Sequence, residues 1–114
     1  MNMIELQEKF VAEVLKGIRG NWASVHIHYE RFLWNEVLLE KFTSEVMIDG
    51  KMCRFNISLD AIDCLVELQE CKPIDQEDAW TWLKFELTNS GKYKFDFHYG
   101  VPPLCAEAIK SVNA

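Results

Sequence analysis

Hydrophobic and polar residues alternate most regularly between Trp80 and Gly100. With Asn89, Ser90 and Gly91 as a loop, residues that face each other across a β-hairpin have numbers that sum to 180. The apolar pairs are then Leu87–Tyr93, Phe85–Phe95 and Leu83–Phe97, and the pairs on the other face are Glu86–Lys94, Lys84–Asp96 and Trp82–His98. Glycine at the last loop position suits the positive φ of a three-residue hairpin loop. Because both faces agree, the pattern predicts a hairpin with one fixed register.

The N-terminal segment has the period of a helix instead. Between residues 3 and 18, apolar side chains recur at spacings of three and four, and charged side chains fill the opposite side. Gly17, Gly20 and Asn21 supply the backbone freedom that is typical of a helix end. We therefore predict an amphipathic helix over residues 3–18.

Alternation returns from Ser24 to Phe32, which predicts a half-buried strand. A second strand is expected within Val37 to Ile48. The Asp49-Gly50 turn signal leads into a third strand, in which every second residue from Cys53 to Ile57 shares a face. These three strands are expected to be antiparallel.

A second helix is predicted from about Asp60 to Cys71, with Ser58 as its cap and Pro73 beyond its end. The acidic connection from Pro73 to Asp78 joins this helix to the hairpin, and a short helix follows Pro102-Pro103. The predicted order αβββαββα indicates an α+β fold with about five antiparallel strands. Helices packed on one face of the sheet would leave the other face in water, where it can serve as a docking surface.

The length and composition of the chain limit the classes of function that it can have. The chain has 114 residues, which predicts a single domain over residues 1–114. Its net charge of −6 argues against direct binding of nucleic acid through phosphates and suits a basic partner. The sequence has no apolar run of membrane-spanning length and no signal-peptide pattern, so we expect a cytoplasmic protein without a membrane partner. The four cysteines form no C-x-x-C pair and are expected to be reduced thiols.

Candidate catalytic residues are few. His26, His28 and Glu30 lie on one side of the first predicted strand and could hold a metal or act as acid and base. The alternative is that they are polar residues on the solvated side of a half-buried strand. His98 opposite Trp82 could be a general base or could form a stacked surface pair with the tryptophan. No phosphate-binding loop or hydrolase motif accompanies them. We expect no metal and no cofactor.

Tryptophan is enriched at the centres of protein interfaces, and Trp82 falls on the polar face of the predicted hairpin. There it either contacts a partner or is covered by another strand or by the C-terminal tail. The acidic residues Asp75, Glu77 and Asp78 either form a solvated loop or are recognised by a basic partner.

The hairpin also resembles part of a known family. Its motif reads Trp80-Thr81-x-Leu83-x-Phe85-x-Leu87-x-Asn89-x-Gly91-Lys92-Tyr93-x-Phe95-Asp96-Phe97-x-Tyr99. This string is similar to the C-terminal signature of the YezG-type immunity proteins, in which a tryptophan-led strand, a Gly-Lys turn and an F-D-F/Y-Y strand recur. The resemblance implies a cytoplasmic bacterial antidote that binds and neutralises the toxic C-terminal domain of a secreted or contact-delivered polymorphic toxin. That domain is commonly a nuclease, and the family has no catalytic residues to transfer to this chain.

The resemblance makes a stoichiometric nuclease inhibitor the first hypothesis. A small enzyme that uses His26, His28 and Glu30 is an alternative, and a non-toxin interaction module is another. The oligomeric state stays open. The residues predicted to bind the toxin are Trp82, Glu86, Asp96 and His98 on the polar face of the hairpin, with Asp75, Glu77 and Asp78 beside them.

Overall fold

The computed structural model describes residues 2–71 and 80–113. Its elements are α1 (Met3–Lys16), β1 (Trp22–Trp34), β2 (Val37–Ile48), β3 (Lys51–Arg54), α2 (Leu59–Glu70), β4 (Trp82–Thr88), β5 (Tyr93–His98) and α3 (Pro103–Asn113). Three helices and five antiparallel strands in this order confirm the predicted α+β class and element order.

The strands form one sheet in the spatial order β3-β2-β1-β4-β5. All six predicted residue pairs of the β4–β5 hairpin occur, from Trp82 opposite His98 to Leu87 opposite Tyr93. Gly91 has a φ of +88°, and its N–H donates to the carbonyl of Thr88 at 2.9 Å. The hairpin joins the rest of the sheet because β4 pairs with β1.

Helices α1 and α2 cover one face of the sheet, as predicted, but the prediction that the helices share one face is wrong for α3, whose first turn binds Glu30 on the other side of β1. The ring of Phe10 from α1 meets Phe85 of β4 edge-on, with the ring centroids 4.9 Å apart. The indole N–H of Trp80 donates to the carbonyl of Leu68 in α2. The sheet contributes alternate residues to this core, namely Val25, Ile27, Tyr29, Val46, Leu83, Phe85 and Leu87. The core therefore lies between these two helices and β1, β2 and β4.

The capping residues of α1 and α2 show where these two helices begin and end. Ser58 accepts a hydrogen bond from the N–H of Ala61 at 3.1 Å, which confirms it as the cap of α2. Asn2 caps α1 in the same way. Helix α1 ends at Lys16, two residues before its predicted end, because Gly17 already serves as its C-cap.

Strand β3 is shorter than predicted. It ends at Arg54, and the N–H of Phe55 makes one further hydrogen bond to Ser44 of β2 at 3.1 Å. The chain then leaves the sheet edge to begin α2 at Leu59. Phe55 and Ile57 still pack against the core, although they lie outside the strand.

Helix α3 differs from the other two in its position. The backbone N–H groups of Leu104 and Cys105 donate to the carboxylate of Glu30. Glu30 points to the side of β1 opposite to that of Tyr29, because successive side chains of a strand alternate. The first turn of α3 therefore lies on the face that α1 and α2 leave open.

Two further features concern the described residues. Cys53, Cys64, Cys71 and Cys105 are free cysteines; Cys64 and Cys105 are buried, Cys71 is half-buried and Cys53 is exposed. Within residues 2–71 and 80–113, no helix combines the length and the apolar character that crossing a membrane requires.

Candidate functional site

The sheet face opposite α1 and α2, here called the open face, carries four of the predicted binding residues, Trp82, Glu86, Asp96 and His98. A shallow groove of about 380 Å³ crosses it from β5 to β2. The side chains of the open face that line this groove are His26, His28, Thr43, Glu45, Lys84, Glu86, Lys94 and Asp96. The register of β1 against β4 and β2 brings these residues together, since directly opposed residues of antiparallel strands share a face.

An aromatic stack borders the groove. The rings of Trp82 and His98 lie nearly parallel, with centroids 4.0 Å apart and planes 15° apart. His28 of β1 lies on the other flank of the indole, with centroids 5.3 Å apart. Trp82 is thus half-buried between residues of its two neighbouring strands. The Nζ atom of Lys84 lies 5.9 Å from the centre of the same ring, within range of a cation–π contact.

Two of the predicted acidic residues, Glu86 and Asp96, lie on the rim of the groove and are open to solvent. The side chain of Glu86 is 61% exposed and that of Asp96 is 49% exposed. Glu86 contacts the Nδ1 atom of His26 at 3.3 Å, and Asp96 contacts Lys94 at 3.5 Å. Although the hairpin register is as predicted, Glu86 therefore pairs with β1 instead of Lys94, and Asp96 pairs along its own strand.

Glu30 has a different environment from the one that alternation predicts. Its side chain is fully buried, because the start of α3 covers it. The carboxylate accepts hydrogen bonds from Leu104 N at 2.9 Å and Cys105 N at 2.8 Å, and it lies 2.5 Å from Nε2 of His28. Burial by itself would raise the pKa of Glu30, but the hydrogen bonds from His28 and from the two amides outweigh it and lower that pKa.

The suggested grouping of His26, His28 and Glu30 is divided between two sets of contacts. His26 lies against Ser24 and Glu86, whereas His28 and Glu30 bind each other. Among the residues that the structure describes, no cluster of three or more acidic, histidine or cysteine side chains could hold a metal ion. The open face therefore carries hydrogen-bonding and aromatic side chains. The carboxylate of Glu30 is already hydrogen-bonded to the backbone of α3.

The structure brings together four of the seven predicted binding residues, namely Trp82, Glu86, Asp96 and His98. The other three, Asp75, Glu77 and Asp78, lie outside the described residues. Sequence reasoning did not identify Glu45 as a neighbour of the groove, because that position follows from the pairing of β1 with β2.

Comparison with known proteins adds one finding. A family model described as "Immunity protein YezG-like" matches residues 9–102. The matched segment includes all five strands and ends directly before α3. No curated protein matches the chain.

Proposed function

This chain belongs to the YezG-like immunity protein family, and we propose that it acts as a cytoplasmic antidote that neutralises a bacterial toxin domain by binding it one to one. In this proposal, residues 1–114 form a single domain. Its partner is the toxic C-terminal domain of a polymorphic toxin, and inhibition requires no chemical step.

The charge of the chain favours a basic partner, and we propose a nuclease domain. Nucleases bind a polyanion, so their substrate clefts carry positive charge. A protein of net charge −6 is attracted to such a surface, and this attraction raises the rate of association. An antidote needs fast association because it must bind the toxin before the toxin acts.

One feature of the molecule carries the proposal for the binding surface, namely the groove of the open face. Glu86 and Asp96 on its rim are accessible to basic side chains. The adjacent stack of Trp82 and His98 offers a rigid aromatic surface, which is typical of the residues that contribute most binding energy in interfaces. Charge on the rim and aromatic rings beside it suit both fast association and slow dissociation.

The first experiment is co-purification of the tagged chain from its native cell, with identification of the proteins that remain bound after a high-salt wash. We expect a basic domain at one to one, and we expect the chain to abolish its nuclease activity. Recovery of a non-toxic partner would favour the interaction-module alternative. Recovery of a bound metal without any protein would return attention to His26 and His28 as parts of an enzyme.

Charge-reversal variants then test the surface. Glu86→Lys and Asp96→Lys are each expected to weaken toxin binding tenfold or more, mainly through faster dissociation if the charge is buried in the complex. Glu8→Lys makes the same charge change on an exposed position of α1, behind the sheet, and is the matched control. Equal weakening by all three variants would show that only net charge matters and would refute the open face as the binding surface.

A further inference from the structure

The C-terminal helix α3 is attached to the sheet by one buried carboxylate. Glu30 has no solvent exposure and receives the first two free amides of the helix, those of Leu104 and Cys105. Anions are favoured at helix N-termini because the free N–H groups and the helix dipole both stabilise negative charge. This side chain therefore holds the first turn of α3 against β1.

The remainder of α3 is separate from the main core. None of its residues belongs to the hydrophobic cluster formed by the described parts of α1, α2 and the sheet. Cys105 is buried, and the other described residues of α3 are half-buried or exposed. Detachment of α3 would thus leave the packing between α1, α2 and the sheet unchanged. Parts of a protein with few core contacts commonly open at a lower free energy than the whole molecule.

The same carboxylate also binds a residue that lines the groove. His28 binds Glu30 through Nε2, and its ring lies beside the indole of Trp82. Glu30 therefore connects α3 to the aromatic stack through a single histidine.

We infer that α3 detaches from the open face while the core stays folded, and that Glu30 is the positioning residue that holds it in place. Detachment would add an uncovered carboxylate to the open face beside His28 and Trp82. Use of the surface uncovered in this way for toxin binding rests on the proposed function, whereas detachment itself is a property of the free protein.

The cysteines provide reporters for the two kinds of opening. Cys105 lies at the start of α3, and burial, followed by the nearby carboxylate of Glu30, raises the pKa of its thiol to about 11. Its side chain has no solvent exposure while α3 is docked, so a thiol reagent reaches it only after the helix opens. Cys64 lies in the main core and reports unfolding of the core. Cys53 is exposed, so its labelling rate is the reference for a thiol that the reagent can always reach.

The test is labelling of the folded full-length protein with iodoacetamide, without any toxin, and quantification of each cysteine peptide by mass spectrometry. Each rate is divided by the rate of the same thiol in urea-unfolded protein. We expect Cys105 to react more than about three times faster than Cys64, with a weaker dependence on added urea because its opening exposes less surface. A ratio below that value, or an equal urea dependence for the two thiols, would show that α3 opens only with the core and would overturn the inference.

Variants separate the two openings further. Val14→Ala weakens the core whether α3 is docked or detached. It should therefore accelerate the labelling of Cys64, while the labelling rate of Cys105 should change by less than about twofold.

Glu30→Gln should accelerate labelling of Cys105 at least tenfold, and Glu30→Asp replaces it if the glutamine variant fails to fold. Glu107→Gln, the same chemical change at an exposed position of α3, should leave the Cys105 rate unchanged. An unchanged Cys105 rate in the Glu30 variant would refute the positioning role. Since no toxin is present, these results stand whether or not the toxin-binding proposal holds.

Discussion

The indole ring of Trp82 lies flat against the imidazole ring of His98, at 4.0 Å between centroids. The two residues are directly opposed across the β4–β5 hairpin. Their rings thus contribute to the stability of the hairpin and, at the same time, form part of the proposed binding surface.

This stack predicts a measurable coupling between the two side chains. In a double-mutant cycle of Trp82→Ala and His98→Ala, the coupling term in the free energy of unfolding should be about 0.5–1.5 kcal/mol. Urea denaturation of the four proteins measures it. The opposed pair Lys84 and Asp96, on the same face of the same hairpin, is the control and should show less coupling. Equal coupling for both pairs would contradict a specific ring contact.

Stability should fall in acid because of Glu30. The pKa of Glu30 is lowered in the folded state, so protonation of this carboxylate favours the unfolded chain. The stability that its ionised form contributes is fully present above the pKa of the unfolded chain, about 4.3. That contribution is lost as the pH falls through the pKa of the folded state. The charged or titratable groups that face this carboxylate are His28 on its own strand, Cys105 on α3 and Lys41, directly opposite on β2.

The measurement is urea unfolding of the natural protein and of Glu30→Gln between pH 5 and pH 3. We expect the variant to be less stable by roughly 2–4 kcal/mol at pH 5, because its amide replaces a charged acceptor of several hydrogen bonds. The difference should shrink toward pH 3. A difference that stays constant over this range would show that Glu30 does not titrate with folding.

Gln69 is expected to be essential for the junction between α2 and the sheet. Its Nε2 atom donates to the carbonyls of Arg31 and Trp80, at 2.7 and 2.9 Å, and its Oε1 atom accepts from the Arg31 guanidinium. Gln69→Glu keeps the shape but removes both donors, so it should destabilise the protein by about 2–4 kcal/mol, as measured by thermal or urea unfolding. Glu70→Gln at the neighbouring exposed position is the control and should change stability little.

Gly91 is expected to resist substitution for a purely conformational reason. A Cβ atom there would meet no heavy atom within 4 Å, but the φ of +88° is unfavourable for any residue with a side chain. Gly91→Ala should therefore cost about 1–2 kcal/mol of folding free energy. Gly17→Ala is the matched control, because Gly17 has a φ of −91° and only ordinary contacts for an added methyl group. Equal losses in the two variants would show that φ is not the cause.

The register of the β4–β5 hairpin could be predicted because its determinants are local, although its charged side chains choose other partners than the opposed ones. Apolar pairing, charge pairing and the position of Gly91 all depend on residues within one short segment, and they specify the same register. The capping role of Ser58 was predictable for the same reason.

The environment of Glu30 could not be predicted in this way. Alternation correctly places it on the polar side of β1, but its burial depends on α3, which lies more than seventy positions later in the chain. Trp80 shows the opposite case. It has the same parity as Trp82, yet it lies in the core because β4 begins only at Trp82 and strand alternation does not extend to it. Local patterns specify strands, and distant contacts decide which of their residues are covered.

The central position of β1 has a consequence for how this protein is made. β2 follows β1 after a short turn and can pair with it early, but β4, its neighbour on the other side, begins only at Trp82. A nascent chain that has not yet emerged beyond the hairpin leaves one edge of β1 unpaired, and such edges favour misassembly. The groove also needs strands from both sides of β1. The proposed binding face would therefore be complete only when synthesis of the last strand is complete, however early the first strands fold.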